Sequence, residues 1–192
     1  MATTDIWLPE RAHIEIQEIG GTFQNITADV ENFSQSGGER ELEEVFTFGG
    51  ATKVKRSRQA NMQVELDVVI LNGKFDDAFL GTSSESDYLK TITIATQEKY
   101  RVTILWTDDT DVWHATQAVP AGAEALRYSY AECYGVNFEP ESSADDYLKG
   151  TFTWEMNPKD SAGADNVRKW YLEDSSVAGM SQLAAYTTGN KW

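Results

Sequence analysis

Apolar and polar residues alternate with a period of two along most of this chain, which predicts strands rather than helices. The alternation is cleanest over Met62–Leu71. Met62, Val64, Leu66, Val68 and Ile70 take one side, and Gln63, Glu65, Asp67 and Val69 the other. One side meets a core and the other water, as in an antiparallel sheet with one wet face. Residues 12–19 alternate in the same way, Ile14 and Ile16 against Glu15 and Gln17, and predict a half-buried strand that ends at a Gly20-Gly21 turn. Phe23, Ile26, Val30 and Phe33 add one or two short strands, and Lys90–Thr96 and Lys99–Thr107 form a hairpin turned at Gln97-Glu98. Residues 128–157 read as two more strands joined by an acidic turn. In the first, Tyr128, Tyr130, Glu132 and Tyr134 share one face, and Ser129, Ala131, Cys133 and Gly135 the other. Two segments carry helical signals. Phe75–Leu80 predicts a short helix closed by Gly81, and Asp165–Asp174 groups Val167, Trp170 and Tyr171 on one helical side. The expected fold is mainly β: roughly seven or eight strands and one or two short helices in an antiparallel β-sandwich or barrel-like domain. No repeat or composition break appears, so residues 1–192 are taken as one domain, with 160–192 its C-terminal helix and tail.

One stretch breaks the pattern. Residues 36–59 begin acidic (Glu39, Glu41, Glu43, Glu44) and end basic (Lys53, Lys55, Arg56, Arg58), with Val45, Phe46 and Phe48 between. A connection this long is uncommon inside a compact domain, and its aromatic residues argue against plain disorder. It predicts an extended arm that packs on a neighbouring molecule; an ordinary solvated hairpin is the plainer alternative.

Composition narrows the function classes. At 192 residues and 41% hydrophobic content, the chain can bury a core without disulfide or metal staples. No apolar run approaches the roughly 20 residues that cross a bilayer as a helix. Met1–Pro9 contains Asp5 and has neither a basic start nor an apolar centre, so it is not read as a signal peptide, and the expected place of synthesis and assembly is a cytoplasm. A net charge of −15 opposes a DNA-wrapping surface, which needs clustered Lys and Arg. It suits a surface that must not stick to DNA, or a subunit kept soluble by self-repulsion until it assembles; adaptation to high salt gives the same balance.

Catalytic and metal signatures are weak. His13 and His114 stand in no paired metal spacing, and the chain carries neither a nucleophile elbow nor a phosphate loop. Asp108, Asp109 and Asp111 lack the glycine and late glutamate of a calcium loop and read as a charged turn. The single cysteine, Cys133, reads as a buried inert thiol. Trp106 and Trp154 end strands and are expected in a core or interface, which leaves Trp113 as the one exposed aromatic candidate for stacking on a sugar. No enzyme activity, metal or cofactor is expected.

The aromatic strand at 128–135, the Phe138-Glu139-Pro140 corner, the Asp146-Tyr147-Leu148-Lys149 turn and the Thr151-Phe152-Thr153 strand resemble the major tail tube protein of long-tailed, non-contractile phages. So do, in the same order, the early strand ending at Ser36-Gly37-Gly38, the acidic run, Val45-Phe46-Thr47-Phe48-Gly49-Gly50, the basic run, Phe75-Asp76-Asp77 and Tyr100–Trp106. The resemblance covers about residues 12–160 and rests on order and spacing rather than on one motif. It implies a structural virion protein that assembles in the host cytoplasm into hexameric rings stacked as a hollow tail tube. Its partners would be further copies of itself, a tape-measure protein and terminator or tip proteins. Double-stranded DNA would pass transiently through the bore, and no membrane is involved. Within that frame Gln63, Glu65 and Asp67 are the candidate lumen-facing residues. Glu41, Glu43, Glu44, Val45, Phe46, Phe48, Lys53, Lys55, Arg56 and Arg58 are the candidate inter-subunit arm. The alternatives are an inner tube or ring protein of a contractile tail or secretion system, a carbohydrate-binding β-sandwich, and a glycoside hydrolase built on an acidic pair.

Overall fold

The computed structural model describes residues 11–39, 60–70, 78, 98–142, 147–160, 162–172 and 178–192, together with the backbone of 42–46 and 52–56. Strands β1 (Arg11–Glu18) and β2 (Phe23–Asn25) pair across the Gly20-Gly21 turn, and a single 3-10 turn at Thr27–Asp29 leads into β3 (Val30–Gly37). β4 (Leu42–Phe46) and β5 (Thr52–Arg56) pair with each other and, among the described residues, with no other strand. β6 (Met62–Val69), β7 (Tyr100–Thr107), β8 (Ala125–Glu141), β9 (Lys149–Met156) and β10 (Val167–Leu172) complete the order. Every pairing is antiparallel.

β8 belongs to two sheets. Its residues 125–133 lie between β7 and β10, giving a first sheet ordered β2-β1-β7-β8-β10; residues 134–141 pair with β9, giving a second sheet ordered β8-β9-β6-β3. The crossing between sheets is marked by two bulges. One sits opposite Arg101, where Glu132 adopts φ 51°, and the other lies between Gly135 and Asn137. A bulge adds one residue and reverses which side the following side chains face. Cys133 therefore joins Tyr130 in the core instead of sharing a face with Ser129 and Ala131, as strict alternation assigned it. Its thiol is fully buried, and burial pushes the thiol pKa up, as expected of an inert cysteine.

The main core lies between the sheets. Ile14, Ile16, Val102 and Ile104 of the first pack against Val64, Leu66, Val68, Phe152 and Trp154 of the second. Trp154 is completely buried, with its ring 5.0 Å from Tyr100 and 4.7 Å from Phe152. A side chain of this size contributes on the order of 3 kcal/mol by burial.

Three expectations are corrected. The predicted C-terminal helix is strand β10, paired with β8 from Val167 opposite Tyr130 to Leu172 opposite Ala125. Val167 packs on the main core while Trp170 and Leu172 join a second cluster, which is period two rather than period 3.6. β1 is not half-exposed, because Glu15 and Gln17 are as buried as the isoleucines between them. The loop at 108–124 and the C-terminal residues 178–192 cover that face of the first sheet and form the second cluster with Leu105, Val112, Val119, Leu172 and Met180. Finally, of the predicted helix at 75–80 only Ala78 is described, in a helical conformation and buried against the main core. The strand expected at 90–96 and the acidic turn at 143–146 lie outside the described residues.

Candidate assembly interface

The second sheet turns its inner face to the core and presents an acidic outer face. Antiparallel register aligns three rows across it: Ser36, Gln63 and Glu155; Ser34, Glu65 and Thr153; Asn32, Asp67, Thr151 and Glu139. Cross-strand hydrogen bonds knit the rows together. Asn32 Nδ2 donates to Asp67 at 3.1 Å, Thr151 Oγ1 to the other Asp67 oxygen at 2.9 Å, Ser34 Oγ to Glu65 at 3.3 Å, and Asn61 Nδ2 to Glu155 at 2.7 Å. The predicted trio Gln63, Glu65 and Asp67 thus lies on one face with Glu139 and Glu155. Across the four strands of this sheet the sole cation is Lys149, at one end, bonded to Glu31 at 3.1 Å. Neutral amides and hydroxyls therefore orient the carboxylates without cancelling them.

Sequence pattern alone missed two of these acids. Glu155 was legible in the Thr151-Thr153-Glu155 alternation. Glu139 was not, because two bulges precede it and each reverses the face count.

The edges of this sheet matter as much as its face. β3 pairs with β6 on one side, and on its other side with no described strand, over eight mostly exposed residues. At the far edge, residues 134–141 of β8 pair with β9 on one side and with no described strand on the other. Long open edges are aggregation hazards unless something pairs with them.

The arm leaves the same sheet. The β3–β6 ladder runs on through Gly38 and Ala60, whose amides donate to Asn61 O at 3.2 Å and Glu39 O at 3.0 Å, and the β4–β5 hairpin lies beyond. Register sets Glu43 opposite Lys55, Val45 opposite Lys53 and Leu42 opposite Arg56. The side chains of Glu43, Glu44, Val45, Phe46, Lys53, Lys55 and Arg56, and all of Glu41, Phe48 and Arg58, lie outside the described residues.

The outer face of the first sheet is closed off by a buried polar layer. Glu15, 2% exposed, accepts from the Thr116 amide at 3.0 Å, the Thr116 hydroxyl at 2.8 Å and His114 Nδ1 at 2.8 Å. Arg101 donates to Gln17 Oε1 at 2.8 Å and to the carbonyls of Ala184 at 2.7 Å and Lys191 at 3.1 Å; Arg127 donates to the carbonyls of Ser181 and Gln117. Burial draws both guanidinium pKa values down to about 10, still far above neutrality, and the Glu15 charge opposes the fall in each. These groups hold the C-terminal residues in place and offer no nucleophile beside a base. His13 is buried in β1, with burial the main cause of its lowered pKa, and His114 bridges to Glu15. Asp108 and Asp109 accept from the backbone amides of Glu124 and Asp111, as turn residues do. Trp113 is 62% exposed, with Arg11 lying 5.8 Å over its ring.

No protein-family model matches this chain, and no curated protein does. Solved structures match it in fold. A chain of the six-fold symmetrised baseplate of the anti-feeding prophage (AFP) aligns at TM-score 0.53 and 11% identity, covering 92% of this chain and 100% of that one. A chain of the sheath/tube terminator of PVC, an extracellular contractile injection system, aligns at TM-score 0.53 and 14% identity, covering 88% and 99%. A chain of the AFP tube-terminating cap aligns at 0.52 and 9%, covering 90% and 96%. The fold is therefore tail-tube-like, and it is shared with components of contractile injection particles.

Proposed function

We propose that this chain is a structural, non-catalytic subunit that joins edge to edge into closed rings, which stack into a hollow tail or injection tube. The observation that carries the reading is the second sheet: four antiparallel strands with open described edges and one acidic face. With an even number of strands, β8 and β3 run in opposite senses. A copy related by simple rotation therefore sets its β8 antiparallel to the β3 it meets, and the ladder continues round the ring unbroken. Such a head-to-tail contact closes by rotation, and closure removes both exposed edges.

Ring size follows from spacing. At about 4.8 Å between strands, six copies place roughly 24 strands on a circle about 37 Å across, and strand tilt widens it. Three copies give about 18 Å, a bore that side chains fill. Six-fold rings are therefore the reading that leaves a channel, with the acidic face inward. Double-stranded DNA, and before it a tape-measure protein, would pass along a wall that repels phosphate and offers it no grip. Terminator or tip proteins would cap the stack. The structural neighbours come from contractile systems, so an inner tube within a sheath has as much support as the non-contractile phage tail suggested by the sequence resemblance. A sheath protein that co-sediments with the tubes separates the two.

The test is negative-stain electron microscopy with light scattering over a concentration and salt series. Hollow tubes or six-fold rings are expected from the full chain, and folded subunits without tubes from a chain in which Gly38–Arg58 is replaced by a short turn. A monomer under every condition, with glycan binding abolished by Trp113→Ala, would replace this reading with the sugar-binding one.

A further inference from the structure

The two ends of the second sheet differ. At one end β3 and β6 hand over to the arm at Gly37 and Met62. At the other, about seven residues or roughly 23 Å away along β3, an apolar groove of about 340 Å³ opens between β3 and the first sheet. It is lined by Ala12, Ile14, Val30, Phe33, Ile104 and Trp106. Glu31 lies on the groove rim and also lines an adjoining concavity with Asp67, Glu139 and Glu141, where Lys149 is the only cation. This end therefore offers an apolar slot flanked by carboxylates.

The arm has the matching chemistry. Val45, Phe46 and Phe48 are followed by Lys53, Lys55, Arg56 and Arg58, a concentration of positive charge in a chain of net charge −15. A two-stranded hairpin is marginal in water by itself, and β4–β5 pairs with no other described strand. Head-to-tail stacking brings the arm end of one ring onto the groove end of the next, because heterologous contacts join unlike surfaces.

We propose that the β4–β5 arm of one subunit seats in this groove on a subunit of the adjacent ring. Its aromatic residues fill the slot, and its basic strand lies along Glu31, Glu139 and Glu141. This assignment rests on the tube reading and names the surface that sets ring-to-ring register. Apolar burial supplies most of the contact's stability, and the charges supply orientation and encounter rate.

Cysteine trapping in assembled tubes tests it. Cys133 is buried and stays silent. In a chain carrying Phe48→Cys and Asn32→Cys, mild oxidation is expected to give a ladder of covalent multimers without upper limit, since each link crosses from ring to ring. Tubes that stay monomeric on oxidation, form an internal link, or stop at one ring-sized multimer overturn the assignment while leaving the tube reading intact. Failure of the parent chain to form rings or tubes overturns both. A charge exchange gives an independent arm. Glu139→Lys with Glu141→Lys is expected to raise the concentration at which tubes appear about tenfold, and adding Lys53→Glu with Lys55→Glu is expected to restore it. An unchanged threshold in the first variant, or no recovery in the second, overturns the charge pairing.

Discussion

Gly20 and Gly37 share φ +76° in different surroundings, which separates the cost of a backbone conformation from the cost of crowding. A Cβ at Gly20 meets nothing within 4 Å, whereas one at Gly37 falls 2.1 Å from the Asn61 carbonyl oxygen, in the strand that receives the arm. Gly20→Ala is expected to cost about 1 kcal/mol, the ordinary penalty for an L-residue in the left-handed region. Gly37→Ala is expected to cost upwards of about 3 kcal/mol, because the β3–β6 ladder itself must shift. Urea unfolding of both variants checks this, and equal losses would remove the steric argument. Two residues from Gly37, Gln35 Oε1 accepts from the Tyr130 hydroxyl at 2.8 Å, so a buried polar contact ties β3 to the crossing strand on the core side of the arm root.

Among the elements, the C-terminal residues 178–192 are held mainly through their backbone. Arg101 and Arg127 grip their carbonyls, Gln17 Oε1 accepts from the Tyr186 amide at 2.9 Å, and Lys191 reaches Glu132 at 2.5 Å and Asp160 at 2.6 Å. The Lys191 hydrogen bond is the main cause that lowers the Asp160 pKa. A lowered carboxyl pKa stabilises the folded state above the unfolded value of about 3.9, and that contribution is lost as pH falls through the folded value. At pH 6, carboxypeptidase is therefore expected to remove Trp192 faster from Asp160→Asn and Lys191→Ala than from the parent, which approaches their rate below about pH 4. Equal rates at pH 6 would show that the backbone contacts suffice. Little of this was legible in the chain. β6 was, because nothing interrupts its alternation and its two faces see a core and water. β10 was not: Val167, Trp170 and Tyr171 fit a helical stripe as well as a strand, and only pairing with β8 decides between them. β1 misled for a related reason. Glu15 and Gln17 look solvated, and the groups that bury them arrive about 100 and 170 residues later in the chain.

For the whole molecule, the distribution of charge decides more than its total. Of 31 acidic residues against 16 basic ones, the outer face of the second sheet carries Glu65, Asp67, Glu139 and Glu155 in aligned rows, and cations are confined to Lys149 at one end. If that face lines a bore, repulsion reaches across the gap to a duplex, because screening extends only about 8–10 Å at physiological salt. Glu65 and Glu155 make their hydrogen bonds to side chains on exposed ground, so both tolerate replacement. Glu65→Lys with Glu155→Lys is expected to leave tube formation intact and to turn the wall adhesive. Tubes assembled with a short labelled duplex should then retain it after washing, release it above about 0.5 M salt as counterions compete, and shield it from nuclease. Parent tubes should retain none. Duplex that is retained yet digested would place this face on the outside, and the conduit would have to be lined by another surface of the ring.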